Sequence, residues 1–321
     1  MEIIRIPTID SKIWNLEFKI IEIINKLSKG GILVIDLNNE GPCVESLNLY
    51  KILDDICEKF KIDSSQIRIC TANPLEKSEK YQLHCSSKVW LAEYRNYTFD
   101  SNKLFDQNFK HFGIFIARGN WNRLFLASTI FKNFKQQSIM SFHCNLDSKN
   151  NRGLDELSFI MGASEAISLC YDLLKEFPIK LDEVKKYPIL PPENLNILKY
   201  YNNIFLDVVC ETYFTGNTFF PTEKTIRPLI AKTPFLLFGP KGYLFNLKKI
   251  GFKTFNDYWS EDYDNHDGLY RAQEIEKILV QLSKKSIPDL EIMYNDMLPI
   301  LEHNRNLLTE MTEKKFYDRI K

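Results

Sequence analysis

The chain has 321 residues, 44% of them hydrophobic and 26% charged, enough apolar material for two cores and none of the bias of a disordered polymer. Its 42 basic and 42 acidic side chains cancel, which disfavours general binding to nucleic acid or to an anionic membrane surface. No apolar run approaches the roughly 18 residues of a spanning helix, and Met1-Glu2-Ile3-Ile4-Arg5 lacks the basic and apolar regions of a signal peptide.

Seven cysteines (43, 57, 70, 85, 144, 170 and 210) form an odd set without a CxxC pair. Several sit in apolar runs such as Ile67-Arg68-Ile69-Cys70, so buried free thiols in a reducing compartment fit better than a disulfide framework. The expected location is the cytoplasm, of a cell or of a virus-infected host.

In chain order, residues 18–27 form an amphipathic segment ended by Gly30-Gly31, and Ile32-Leu33-Val34-Ile35-Asp36 reads as a buried strand. After a polar loop at 37–42, residues 44–60 carry apolar side chains at helical spacing, and Ile67 to Thr71 make the next strand. Strand, crossover helix and strand predict a parallel sheet covered by helices. Val89 to Tyr94 add a further short element before a polar stretch. A second unit starts near His111, with a strand at 112–117, a turn at Arg118-Gly119-Asn120, a helix over 121–134 and a strand at 138–142. A loop at 145–153, a helix over 156–177 and a connector at 188–192 follow. Then come a strand at 203–213, a helix opening at Thr222, a strand at 234–239 and a helix at 242–250. The tail from about Leu269 reads as helical, with Pro288 and Pro299 as punctuation.

The expected architecture is therefore α/β: two Rossmann-like domains facing a cleft, with a helical C-terminal tail. Residues 1–110 form the first domain and 111–321 the second. In such folds ligands sit where strand ends meet helix N-termini, which directs attention to the loops after Ile35, Ala117 and Tyr213.

The stretch 210–255 is the most informative. Thr222 is a good N-cap, with Glu223 and Lys224 in the first turn of its helix. Free N–H groups and the positive dipole end suit a phosphate, and Lys224 adds a mobile cation. Glu223 can accept hydrogen bonds from sugar or ribose hydroxyls, and Glu211 ends a buried strand facing the same loop. On residue types alone, Thr222 and Glu223 read equally as a helix cap and nothing more.

The order of these elements resembles the C-terminal nucleotide-sugar domain of the fucosyltransferase-type, two-Rossmann (GT-B) glycosyltransferases. The matching stretches are 112–117 with Arg123, 138–142, 206–212 with Glu211, Thr222-Glu223-Lys224, and 234–239. Gly251-Phe252-Lys253-Thr254-Phe255, Ser260-Glu261-Asp262-Tyr263-Asp264 and Arg271 also resemble a group of uncharacterised phage-encoded proteins sharing this half. The likeness covers roughly residues 111–272. It implies that Glu223 holds the donor's ribose or sugar, Lys224 the pyrophosphate, Arg123 a phosphate charge, with Arg118 able to replace it, and that Glu211 contacts the donor sugar. Thr212-Tyr213 after Glu211 depart from the family's Asn-Ser, which leaves the nucleotide open.

Transfer needs a base for the acceptor hydroxyl and groups that hold the leaving diphosphate. Asp36 and Glu40 are the candidate bases; the competing reading makes Asp36 a cap and Glu40 a solvated loop residue. Thr71-Ala72-Asn73-Pro74 is a candidate acceptor loop, or a turn. The five histidines show no metal-ligand spacing, and the run Asp262, Asp264, His266, Asp267 reads as a solvated surface loop before it reads as a divalent-cation site. P-loop, GxSxG and GxGxxG signatures are absent.

The leading expectation is a metal-independent, inverting-type glycosyltransferase, with no cofactor beyond a nucleotide sugar as co-substrate. Its acceptor would be a glycan, a lipid-linked sugar or a hydroxymethylated DNA base. The alternatives are a non-catalytic nucleotide- or sugar-binding protein, structural in a virion, and an α/β enzyme of another class.

Overall fold

The computed structural model describes residues 3–7, 20–37, 41–85, 89–143, 153–181 and 193–320. It is a mixed α/β protein that divides into two compact units, and its C-terminal region is helical. The first unit gathers Met1–Glu93, Tyr213–Phe220 and Met311–Lys321; the second gathers Tyr94–Thr212 and Pro221–Glu310. The expected boundary lies at residue 110, while the leading segment of the first unit ends at Glu93 and two distant segments belong to that unit as well. Local patterning cannot reveal that two distant segments return to pack on the first unit.

The first unit is built on a four-stranded parallel sheet in the order β1 (Ile3–Pro7), β2 (Ile32–Leu37), β3 (Ile67–Thr71), β4 (Gln82–Cys85). Helix α1 (Ile20–Leu27) connects β1 to β2, and α2 (Leu49–Phe60) connects β2 to β3. Leu33, Ile35 and Leu37 alternate along β2 with zero exposure and meet Leu49, Leu53 and Ile56 of α2 in one core cluster. Each such aliphatic side chain contributes roughly 1.5–3 kcal/mol on burial. Helix α2 starts later than its apolar pattern, because residues 44–48 form turns and Asn48 adopts the left-handed conformation at φ 57°. A short helix, α3 (Trp90–Glu93), closes this part of the chain.

The second unit carries β5 (Lys110–Ile116), β6 (Ser138–Phe142), β7 (Ile204–Cys210) and β8 (Phe235–Phe238), all parallel, in the order β6-β5-β7-β8. Every residue of β7 and β8 is buried, as their mainly apolar sequences predict, and Asp207 of β7 is buried with the rest. Helix α4 (Trp121–Phe134) follows β5; 12 of its 14 residues are buried, since it packs on α5 (Gly153–Met161), α6 (Ala163–Lys175) and α9 (Gly268–Leu282). The helix expected over 156–177 is two helices, because Gly162 at φ +94° breaks the run, a conformation that only glycine adopts without strain. Helices α7 (Glu223–Ile230), α8 (Tyr243–Lys249), α10 (Ile287–Glu310) and α11 (Glu313–Ile320) complete the described elements. Pro299 lies inside α10 and does not end it.

The two sheets differ where function is concerned. In the first, strand order follows chain order. In the second, order reverses between β5 and β7: the chain leaves β5 toward β6 on one side, then returns to build β7 and β8 on the other. Such a reversal opens a crevice at the carboxyl ends of the strands, where α/β proteins bind ligands.

Candidate functional site

The switch point is stitched by one side chain. Arg123, in the first turn of α4 and 5% exposed, reaches across the crevice. Its Nη1 donates to the Arg118 carbonyl at 3.1 Å, and its Nη2 to the carbonyls of Glu211 (2.9 Å) and Cys210 (3.4 Å). The loop after β5 and the end of β7 are thereby held together. The resemblance gives Arg123 a phosphate; in the structure its guanidinium is enclosed and engaged by main-chain oxygens. Arg118 supplies a carbonyl to this arrangement, while its own side chain lies at the exposed surface of the turn.

Glu211 is the second buried organiser. It extends β7 by donating its N–H to the Phe238 carbonyl of β8 at 2.9 Å, and its side chain is fully enclosed. Five donors converge on the carboxylate: Thr212 N (3.0 Å), Thr222 N (3.0 Å), Thr222 Oγ1 (2.7 Å), Thr225 Oγ1 (2.5 Å) and Tyr243 Oη (3.2 Å). A buried carboxylate survives only when it is hydrogen-bonded this fully. With its lone pairs so occupied, Glu211 ties the residue after β7 to the start of α7 and to Tyr243. Thr225 and Tyr243 are members of this cluster that sequence reasoning did not single out. Thr225 carried a weak signal, three residues past the cap; Tyr243 carried none.

Helix α7 opens as its sequence predicts. Thr222, in extended conformation, is the N-cap, and its hydroxyl accepts from Lys224 N at 3.3 Å. The same hydroxyl donates to Glu211, so the cap is locked to the end of β7. Lys224 Nζ donates to Glu223 Oε1 (2.6 Å), Thr212 Oγ1 (3.1 Å) and Thr222 Oγ1 (3.4 Å). Lys224 and Glu223 keep 16% and 14% of their side-chain surface in contact with solvent, unlike the enclosed groups beneath them. Burial pushes the Glu223 carboxyl up, but the charges of Lys224 and Arg227 outweigh it and hold the group below the ordinary carboxylate range. The result is a Glu223–Lys224 pair at a helix N-terminus whose cap is hydrogen-bonded to the end of β7.

Beneath α7 lies a buried charged layer. Asp207, in the middle of β7, accepts a 2.5 Å hydrogen bond from Tyr201 Oη, while its Oδ1 and the Nε of the 8%-exposed Arg227 have no partner among the described residues. Burial holds the Asp207 carboxyl up to about 6, against the lowering pull of Arg227, Tyr201 and Lys103. An unfolded aspartate titrates near ~3.9. Between those values the folded protein keeps a proton that the unfolded chain has lost, so this group lowers stability as pH rises from about 4 to about 6, and its cost is level above that. Urea midpoints of the wild type and Asp207→Asn from pH 4 to 7 test this. The wild type loses ground against the variant across pH 4–6 and holds steady above it; a difference that grows in the opposite direction contradicts the assignment.

The acidic run at 261–267 is architectural. Asp264 Oδ2 accepts from the N–H groups of Leu244 (3.0 Å) and Phe245 (3.2 Å), capping α8, and Oδ1 pairs with Arg271 at 2.9 Å. Arg271, fully buried on α9, also donates to the carbonyls of Leu237 (3.1 Å) and Pro240 (3.0 Å). Glu261 accepts from Thr254 Oγ1 and Phe255 N, both at 2.7 Å. The surface-loop expectation is thus corrected for Asp264: with Arg271 it ties the end of β8 to α8 and α9. Among the described residues no group of three or more His, Cys, Asp or Glu side chains is placed to hold a metal ion. Cys43, Cys57, Cys70, Cys170 and Cys210 are free thiols, four of them buried.

Of the candidate bases, Asp36 sits within β2 of the first unit, in register with Pro7 of β1 and Cys70 of β3. Glu40 lies outside the described residues, as do the loop 145–152 and the connector 188–192. Asn73, a candidate for acceptor binding, is fully buried and engaged by main-chain groups. No helix among the described residues is long and apolar enough to cross a membrane.

A scan against protein-family models gives no match. No curated protein is significantly similar in sequence.

Proposed function

We propose that the second unit binds the diphosphate of a nucleotide sugar at the N-terminus of α7, and that the protein transfers the sugar to an acceptor hydroxyl. The observation that carries this reading is the partly exposed Glu223–Lys224 pair at the opening of α7, on a cap locked by Glu211 beside the switch point of a parallel sheet. The dipole of a helix start favours phosphate, and an ammonium beside it adds charge that water does not screen fully. A diphosphate arriving there exchanges places with the Glu223 carboxylate on Lys224, and Glu223 is released to accept from ribose or sugar hydroxyls. Arg118, exposed at the neighbouring strand end, is the second cation within this proposal.

The proposed arrangement is GT-B-like, with the first unit on the acceptor side, and Asp36 and Glu40 as its candidate bases. The acceptor oxygen forms a bond to the anomeric carbon as the bond to the diphosphate breaks. The nucleoside diphosphate leaves with that electron pair, and the acceptor proton passes to the carboxylate. Lys224 and the helix dipole stabilise the charge gathering on the leaving group, so the reaction as proposed needs no metal. The acceptor class is a glycan or a hydroxymethylated DNA base.

The test is thermal unfolding with UDP, GDP, CMP and their sugars, for the wild type and for Lys224→Ala. A ligand that binds only the native state at a hundred times its Kd stabilises by about 2.7 kcal/mol, a shift of several degrees. One nucleotide family shifts the wild type, and Lys224→Ala reduces affinity by about 30-fold, the loss of one charge-assisted contact of about 2 kcal/mol. A well-folded wild type that no nucleotide shifts defeats the proposal. Binding without turnover for any acceptor supports a nucleotide-binding protein without catalysis.

A further inference from the structure

The loop that separates Glu211 from Thr222 belongs to the first unit. The chain leaves the second unit after Thr212 and re-enters it at Pro221, and Tyr213–Phe220 between these points packs with residues of the first. The side chain that holds it is Asn73, directly after β3 and wholly buried. Its Nδ2 donates to the Asn217 carbonyl at 2.9 Å and to Glu76 Oε2 at 3.3 Å. Its Oδ1 accepts from Phe219 N and Leu75 N, both at 3.1 Å. One planar amide thus clamps the loop from both sides and uses all its hydrogen-bonding capacity.

Other contacts fix the same eight residues. Thr218 Oγ1 donates to the Gly41 carbonyl, and the Phe219 ring stacks on Phe316 at 6.0 Å with 7° between planes. Gly216 has φ +75°, and a Cβ there would come within 2.2 Å of Ser46 Oγ and 2.7 Å of the Cys43 Cβ. A Cβ on Gly41 would come within 2.8 Å of the Phe220 ring. The loop is seated too closely for any side chain at either glycine.

What this loop holds at its two ends is the proposed anion site. Thr212 and Thr222 both give N–H groups to Glu211, and both hydroxyls accept from the Lys224 ammonium. Their spacing is the spacing of that ammonium's cradle, and the segment joining them is the one Asn73 grips. We infer that Asn73 is a positioning residue for the α7 anion site, acting through the Tyr213–Phe220 loop without touching the ligand. The inference rests on the diphosphate reading of that site. A loop held in its bound conformation spares the ligand the entropy of ordering it, so releasing the grip weakens binding while the cation itself is intact.

The experiment compares the wild type, Asn73→Ala and the milder Thr218→Val, which loosens the same loop by an independent contact. The probes are UDP and GDP, with Kd measured by calorimetry and backbone hydrogen exchange followed over residues 211–226. Asn73→Ala weakens binding by about tenfold, and Thr218→Val by less, through lost preorganisation. In both variants exchange rises at 222–225 as well as within 213–220, and α9 and α10 stay as protected as in the wild type. A merely structural role lowers thermal stability but leaves Kd and exchange at 222–225 unchanged; that result overturns the inference. If the wild type binds neither nucleotide, the diphosphate reading fails, and the exchange at 222–225 alone decides whether Asn73 positions the helix start. Should Asn73→Ala not fold, Thr218→Val carries both measurements.

Discussion

Replacing Glu211 by Gln costs about 4 kcal/mol of stability and removes nucleotide binding, although the two side chains have the same shape. The carboxylate takes five donors and offers none. A glutamine must turn its NH2 toward at least two of them, one a backbone N–H in either orientation, so donor faces donor in an enclosed site. Buried donors left without an acceptor cost about 1–3 kcal/mol each, and breaking a buried charged network costs roughly 3–5 kcal/mol in total. Thr225→Val, which removes one donor and leaves the acceptor satisfied by four, costs about 1 kcal/mol in comparison. Chemical denaturation of the three proteins at pH 7 measures the contrast. A Gln variant within about 1 kcal/mol of the wild type shows that Glu211 does not organise the loop.

Arg271→Met destabilises the protein to a similar degree without involving the site directly. The guanidinium joins the carbonyls that end β8 to Asp264, which in turn caps α8. Methionine fills the space of the stem but leaves Asp264 buried without its cation, and removing one partner of a buried pair costs about 3–5 kcal/mol. For a domain of about 200 residues that lowers Tm by roughly 10 °C. The double replacement Arg271→Met with Asp264→Asn recovers part of the loss, since no unpaired charge remains. A single variant that melts with the wild type, or a double variant worse than additive, contradicts the pairing.

The fold was legible where burial writes a mainly apolar run. β2, β3, β5, β6, β7 and β8 all coincide with mainly apolar stretches, interrupted by single polar residues such as Asp36, Arg68 and Asp207, and Thr222 declared itself as a cap because capping is settled within four residues. β1 and β4 went unread: one is five residues ending in proline, the other is Gln82-Leu83-His84-Cys85, polar at half its positions. Both lie at the edges of the first sheet. The helix over 156–177 was read as one because its apolar period continues across Gly162, and only the positive φ reveals the break.

The candidate site was legible in its exposed layer and not in its support. Glu223 and Lys224 follow from a cap and a turn, so the sequence placed them. The ring around Glu211 spans residues 211 to 243, and the grip on the loop comes from Asn73, more than 140 residues upstream of its partners. Such pairings depend on how strands are ordered and which segment returns to which unit, information that no local window holds. The same holds for Asp264, whose neighbours in sequence suggest a solvated loop and whose neighbours in space are the start of α8 and a buried arginine.

The most direct measurement is a titration of the isotopically labelled protein with UDP and with GDP, followed through the backbone amide resonances of Glu223, Lys224 and Thr225. Binding of a diphosphate at the start of α7 moves these three resonances saturably with one nucleotide, and Lys224→Ala raises the concentration at half-saturation by about 30-fold. Resonances that stay in place at millimolar nucleotide, or that move only elsewhere in the chain, contradict a phosphate site at α7.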